Sequence, residues 1–145
     1  MKYQDMILEC FDGIIKEYGL KFIDVSENSS ILLAENYAFL FTVHGYDDYF
    51  QYIYQNSENN FCIFDIRSYC ASQFDQQDRQ GIPAQETLAD TFQATFMVLA
   101  SGMKRHFSHI LEGDKRWIED YPNYELADDI LPLDQKLEKI IRSNI

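Results

Sequence analysis

Between Lys21 and Phe64 the chain carries five runs rich in aromatic and β-branched residues, separated by polar turns only two to five residues long. A parallel return needs a crossover of roughly a dozen residues or more, so turns this short join antiparallel neighbours. The expected strands are Lys21–Val25, Ile31–Ala34, Tyr37–His44, Tyr49–Gln55 and Phe61–Phe64. Ser26–Ser30, Glu35-Asn36, Gly45–Asp48 and Asn56–Asn60 supply the turn chemistry between them. The segment therefore reads as an antiparallel meander of four to five strands.

Alternation along these strands is incomplete. Tyr37, Phe39, Phe41 and Val43 share one face of the third strand, yet Ala38 and Leu40 occupy the other. On the fourth, Phe50, Tyr52 and Tyr54 oppose Tyr49, Gln51 and Ile53. A sheet wetted on one side would carry more polar residues outward. Either helices cover both faces, or one face is an aromatic docking surface.

Helical periodicity brackets the meander. Ile7, Leu8, Phe11, Ile14, Ile15 and Tyr18 recur at three- and four-residue spacing, giving a helix over 3–18 that stops at Gly19. Gly13 within it marks a candidate close approach to the sheet. Asp65 reads as the N-cap of a helix running through Phe74, and Asp75–Gly81 as an exposed polar loop. Pro83 is expected to open a long helix with Glu86 in its first turn and a bend at Gly102, about 40 Å if unbroken to Leu111. A short helix over 114–121 ends at Pro122, and Pro132 opens the last. The predicted fold is one α+β domain over 1–145: a helix, the meander, then three to four helices packed on the sheet.

Charge narrows the function. The chain has 24 Asp and Glu against 12 Lys and Arg, a formal net charge of −12 over 145 residues. Such a surface repels nucleic acid and anionic membranes and favours basic partners. The excess lies in residues 1–72, with 11 acids to 4 bases, and in 112–145, with 9 to 5. No apolar run approaches the ~20 residues of a membrane helix, and the first residues lack the features of a signal peptide. A cytoplasmic protein is expected, in keeping with three cysteines that form no CxxC.

Motifs for chemistry are absent: no GxSxG, HExxH, P-loop or GxGxxG occurs. His106, His109 and Glu112 would share a helix face and could approach one metal, but no further ligand is signalled. The basic residues Lys104, Arg105, Lys115 and Arg116 are expected to stabilise helix ends and to pair with neighbouring carboxylates. Cys62 and Cys70 could meet His44 only from within apolar runs, a poor setting for a thiolate. Asp47-Asp48 and Asp128-Asp129 lie in no EF-hand pattern. No cofactor or metal is expected. The exposed carboxylates near Tyr46, Tyr49 and Phe50 read instead as a patch that steers a basic protein in and grips it.

The segment Phe11–Phe22, with Tyr18-Gly19-Leu20-Lys21-Phe22 after the first helix, leads through the meander to Phe61-Cys62-Ile63-Phe64-Asp65-Ile66. Over about residues 5–75 this layout resembles the bacterial immunity proteins of polymorphic-toxin and contact-dependent growth-inhibition systems. The resemblance implies a non-enzymatic cytoplasmic protein that binds and neutralises a cognate toxin domain, such as a basic nuclease. The contact residues expected are Asp47, Asp48, Tyr49, Tyr52, Asp75, Asp78 and Arg79. Two other readings stand beside it. One is a small enzyme using His44, Cys62 or the His106/His109 pair, and the other a subunit that dimerises through its aromatic face.

Overall fold

The computed structural model describes residues 2–145. Its centre is a six-stranded antiparallel sheet in sequential order: β1 (Lys21–Asp24), β2 (Ser29–Leu33), β3 (Tyr37–His44), β4 (Asp47–Gln55), β5 (Phe61–Asp65) and β6 (Leu131–Pro132). The five strands of the meander form where the sequence places them, within two residues at each end. The sixth was not expected. Pro132 sits in this short edge strand rather than opening a helix, and Leu133 N–H donates to the Phe61 carbonyl. An edge is where a residue without an N–H can join a sheet. Asp134 caps the last helix instead, its carboxylate accepting from the N–H of Lys136 and Leu137.

The helices are α1 (Tyr3–Cys10), α2 (Asp12–Tyr18), α3 (Arg67–Ala71), α4 (Leu88–His106), α5 (Ser108–Leu111), α6 (Trp117–Asp120) and α7 (Gln135–Asn144). The predicted helix over 3–18 bends at Phe11, whose ring is fully buried 5.0 Å from that of Phe41. Gly19 ends it in the left-handed conformation. Gly13 faces open space and not the sheet. The long helix starts five residues later than expected, because Thr87 and Asp90 form a capping box that fixes its first turn. Pro83 and Glu86 precede that cap in an irregular stretch. The helix ends at His106, so it spans about 28 Å, and Phe107 rather than Gly102 makes the break. Gly102 has another role: a Cβ there would collide with the Phe74 ring.

Both faces of the sheet are covered. On the first, Phe39, Phe41, Phe50, Tyr52 and Phe64 pack beneath α1, α4 and the α5–α6 region. Tyr37 donates its hydroxyl to the Leu111 carbonyl at 2.6 Å, tying that layer to β3. On the second, Ile31, Leu33, Ala38, Leu40, Ile53 and Phe61 pack under the single amphipathic helix α7, through Leu137, Ile140 and Ile141. The choice left open by the mixed alternation is thus decided for covered faces and against an aromatic docking sheet. Among the described residues no helix is long and apolar enough to cross a membrane.

Two outcomes follow from this packing. Ile141 is 2% exposed and anchors α7; Ile141→Ala should cost about 2–4 kcal/mol in urea unfolding, the range for a large-to-small core change. Gly102→Ala should destabilise by about 1–2 kcal/mol despite alanine's better helix propensity, because the Phe74 ring has to move. A gain in stability would show that the ring swings aside at no cost.

Candidate functional site

Three places gather polar side chains: an ionic cluster against α4, one end of the sheet, and the groove beside Arg79. The cluster grows from Asp75, whose carboxylate accepts from the N–H of Gln77 and Asp78 and starts a 3-10 turn over Gln76–Arg79. Asp78 closes that cap by accepting from the Asp75 N–H at 3.0 Å. Its side chain is wholly buried against α4. There the Ser101 hydroxyl donates to it at 2.8 Å, Arg105 Nη1 at 2.8 Å, and His106 Nε2 lies 3.0 Å away. Arg105 also reaches Asp75 at 2.7 Å and the Gln77 side-chain oxygen at 3.0 Å.

The predicted exposed loop holds except at Asp78, the one residue of 75–81 that is buried. Asp78 faces no partner: Ser101, Arg105 and His106 of α4 and the Asp75 N–H engage its carboxylate. Burial pushes its carboxyl up, but the donors around it outweigh that and hold it well below the usual carboxylate range. Arg105 and the backbone hold Asp75 down as well, against some desolvation. Asp75 and Arg79 remain exposed.

Asp75, Asp78 and His106 each bring one ligand atom within 4.8 Å of the others. They are the residues best placed to hold a cation, and His109 is not among them, since the break at Phe107 puts it on α5. Yet Arg105 already stands between the two carboxylates and supplies the countercharge. A divalent ion would have to displace it. The arrangement serves as a buried ionic clamp joining the 75–79 turn to α4.

The acidic sheet end is set by register. Asp24 pairs with Ser30, Ser30 with Phe41 and Phe41 with Phe50, whose carbonyl accepts from the Ile66 N–H. Asp24 and Asp65 thus finish close to one row. The β3–β4 hairpin runs three residues further, about 10 Å, to a two-residue loop, Gly45-Tyr46, with His44 opposite Asp47. Gln4 of α1 donates to the carbonyls of Ser26 and Glu27 and to Asp24 Oδ1, fixing the neighbouring turn. Asp24, Glu27 and Asp47 are exposed, as are Tyr46 (85%) and Tyr49 (42%).

Asp48 departs from expectation. It lies in β4, not in a turn, and its carboxylate meets Arg67 at 2.6 Å while Arg67 also donates to the Asp48 carbonyl. Tyr52 departs further: it is 0% exposed, its ring 5.0 Å from Trp117, so it belongs to the core. Nearby, Tyr121 donates to the Asp65 carbonyl and accepts from the Asp128 N–H, and the Asp128 carboxylate accepts from the Asp65 N–H. Burial, and then the charges of Asp128 and Asp48, raise the Asp65 carboxyl. Asp24 and Glu27 lie at the β1–β2 turn, and the register places that turn at the same end of the sheet as Asp47.

Thiol chemistry has no support in the geometry. Cys62 pairs with Tyr54 and His44 with Asp47, seven residues apart along β4, or about 23 Å. Burial pushes the Cys70 thiol far up and Cys10 to about 11. No family model, no curated protein and no solved structure matches this chain.

The clamp yields a prediction. Asp78→Ala leaves Arg105 and His106 without their buried partner and should cost about 3 kcal/mol or more. Because its folded pKa is depressed, the Asp78 contribution is complete above the ordinary carboxylate range and fades as pH falls below about 4. Urea unfolding at pH 7 and at pH 3 should show a large loss in the parent chain. Asp78→Asn should lose less over the same interval. Asp65→Asn, which keeps the acceptor for Arg67 N–H and removes a disfavoured charge, should raise the melting temperature at pH 7.

Proposed function

We propose that this chain is a non-catalytic inhibitor of the immunity type, whose acidic sheet end caps a basic protein domain. The observation that carries the reading is the tip of the β3–β4 hairpin, where Asp47 is exposed beside the exposed rings of Tyr46 and Tyr49, with the exposed Asp24 and Glu27 at the β1–β2 turn of the same sheet end. Carboxylates steer a basic partner in, and aromatic rings supply desolvated contact once it has docked. Six of the 24 acidic side chains (Asp12, Asp48, Asp75, Asp78, Asp114 and Glu138) lie in ion pairs, and none of the six belongs to this exposed set.

A partner held this way would be a basic toxin domain, such as a nuclease, with its substrate-binding surface blocked. Nucleic acid and anionic membranes are poor ligands for such a patch. Tyr52 and Asp78 drop out of the contact set, and Asp48 acts as the internal partner of Arg67. Tyr49, Asp47, Asp24 and Glu27 form the revised one.

The test is protection. The product of the neighbouring gene is expressed in a host cell with and without this chain. Growth arrest relieved by the parent but not by the triple variant Asp24→Lys, Glu27→Lys, Asp47→Lys supports the reading. Association of the purified pair should slow at least tenfold between about 0.1 M and 1 M salt, where the Debye length falls from about 10 to about 3 Å. Full protection by the triple variant, or a neighbour that arrests nothing, would overturn it.

A further inference from the structure

Arg79 stands apart from the other basic groups. Of the five arginines, Arg67, Arg105, Arg116 and Arg142 each meet a carboxylate. Arg79 has none within 4.0 Å among the described residues and donates only to the Asp75 carbonyl, at 3.0 Å. A guanidinium left unpaired in a chain with twice as many acids as bases calls for a reason.

Its surroundings supply one. Arg79 lines a groove of about 430 Å³ between α3, α4 and the irregular stretch that precedes α4. Phe74, Ile82, Val98 and Leu99 make its apolar wall. Arg67, Gln85 and Thr95 are the other polar groups on it, and no Asp or Glu lines it. The Gln85 amide and the Thr95 hydroxyl make no hydrogen bond within the protein among the described residues. A mostly apolar concavity of a few hundred Å³ with a handful of convergent polar groups is the usual form of a small-molecule site.

One side of the groove is loosely held. From Gly81 to Gln85 no backbone N–H bonds to the rest of the protein among the described residues, and hydrogen bonding resumes at the Thr87–Asp90 cap. Gly81 adopts a left-handed φ of 73° at the head of this stretch. Ile82 is its contribution to the wall, so a ligand can enter by lifting five residues without breaking the sheet or α4.

The geometry points to a binding site for a small amphipathic carboxylate, its apolar chain against Phe74, Ile82, Val98 and Leu99 and its head on Arg79. A guanidinium presents two parallel N–H groups that match a carboxylate. Arg67 on the far rim is part-buried and neutralised by Asp48, so the head-group contact falls to Arg79. Gln85 and Thr95 offer donors between the two. The acidic sheet end, by contrast, would repel such a ligand, so this site is separate from the protein interface proposed above.

The experiment is calorimetric titration of the purified chain with decanoate, kept below its micelle concentration, and with decyltrimethylammonium, which has the same chain and the opposite charge. Decanoate should bind once per chain with a Kd below about 1 mM, and the cation should not. Arg79→Glu, at an exposed position whose side chain gives only one hydrogen bond to backbone, should weaken decanoate at least tenfold with an unchanged melting temperature. Val98→Trp should block the groove. Chemical shifts of the Ile82, Val98 and Leu99 methyls should move on titration. Absence of saturable binding, equal binding of the cation, or an Arg79→Glu variant that binds as the parent does would each overturn the assignment.

Discussion

A sheet that is apolar on both faces has to be covered twice, and most of this structure answers that requirement. The first face carries large rings, Phe39, Phe41, Phe50, Tyr52 and Phe64, and takes a thick layer of helices. The second carries smaller aliphatic groups and takes one helix. Burial at about 25 cal/mol per Å² makes both layers favourable, but they are unequal. α7 alone shields the second face, and it is the C-terminal element. Its cap at Asp134 and its pairing through Leu133 to β5 hold it in register with the sheet it covers.

Polar groups are then placed where this packing leaves room for them. Asp78 is driven inside because the 75–79 turn lies flat on α4, and it is tolerated there because four donors converge on it. A buried carboxylate with one donor fewer would be costly, which is why the clamp involves two residues of α4 in its last turn and one a turn earlier. The same logic separates Asp48, which found Arg67, from Asp47 one residue before it, which found water. Alternation on a strand sends neighbours to opposite faces, so one carboxylate stays internal and the next is left for a partner.

The result is a surface of two characters. One end of the sheet is acidic and aromatic, and its exposed carboxylates Asp24, Glu27 and Asp47 form no ion pair among the described residues. A groove beside α4 is apolar and carries an arginine in the same condition. Unpaired charge of opposite sign at two separate places favours two kinds of ligand, a basic protein and a small organic anion. Neither place has the geometry of a nucleophile or of an open metal centre: the burial that raises the Cys10 and Cys70 thiols suits packing, and Arg105 fills the space between the carboxylates nearest to His106.

Local rules in the sequence determined the meander. Strand lengths and turn chemistry act over a few residues, so Tyr37–His44 and its neighbours were legible without any tertiary information. The αL stop at Gly19 was legible for the same reason. What only the tertiary structure decided depends on groups far apart in the chain. Tyr52 and Phe50 look alike in sequence to an exposed Tyr49, and only the covering helices tell them apart. Asp78 looks like any loop acid until Arg105 and His106 arrive from 27 and 28 residues away. Pro132 carries the signal of a helix start, yet the open edge of β5 claims it, because a free strand edge outcompetes a weak local cap. Asp24, Glu27 and Asp47 come to the same end of the sheet through strand register alone, and the Arg79 groove exists only where α3 and α4 meet.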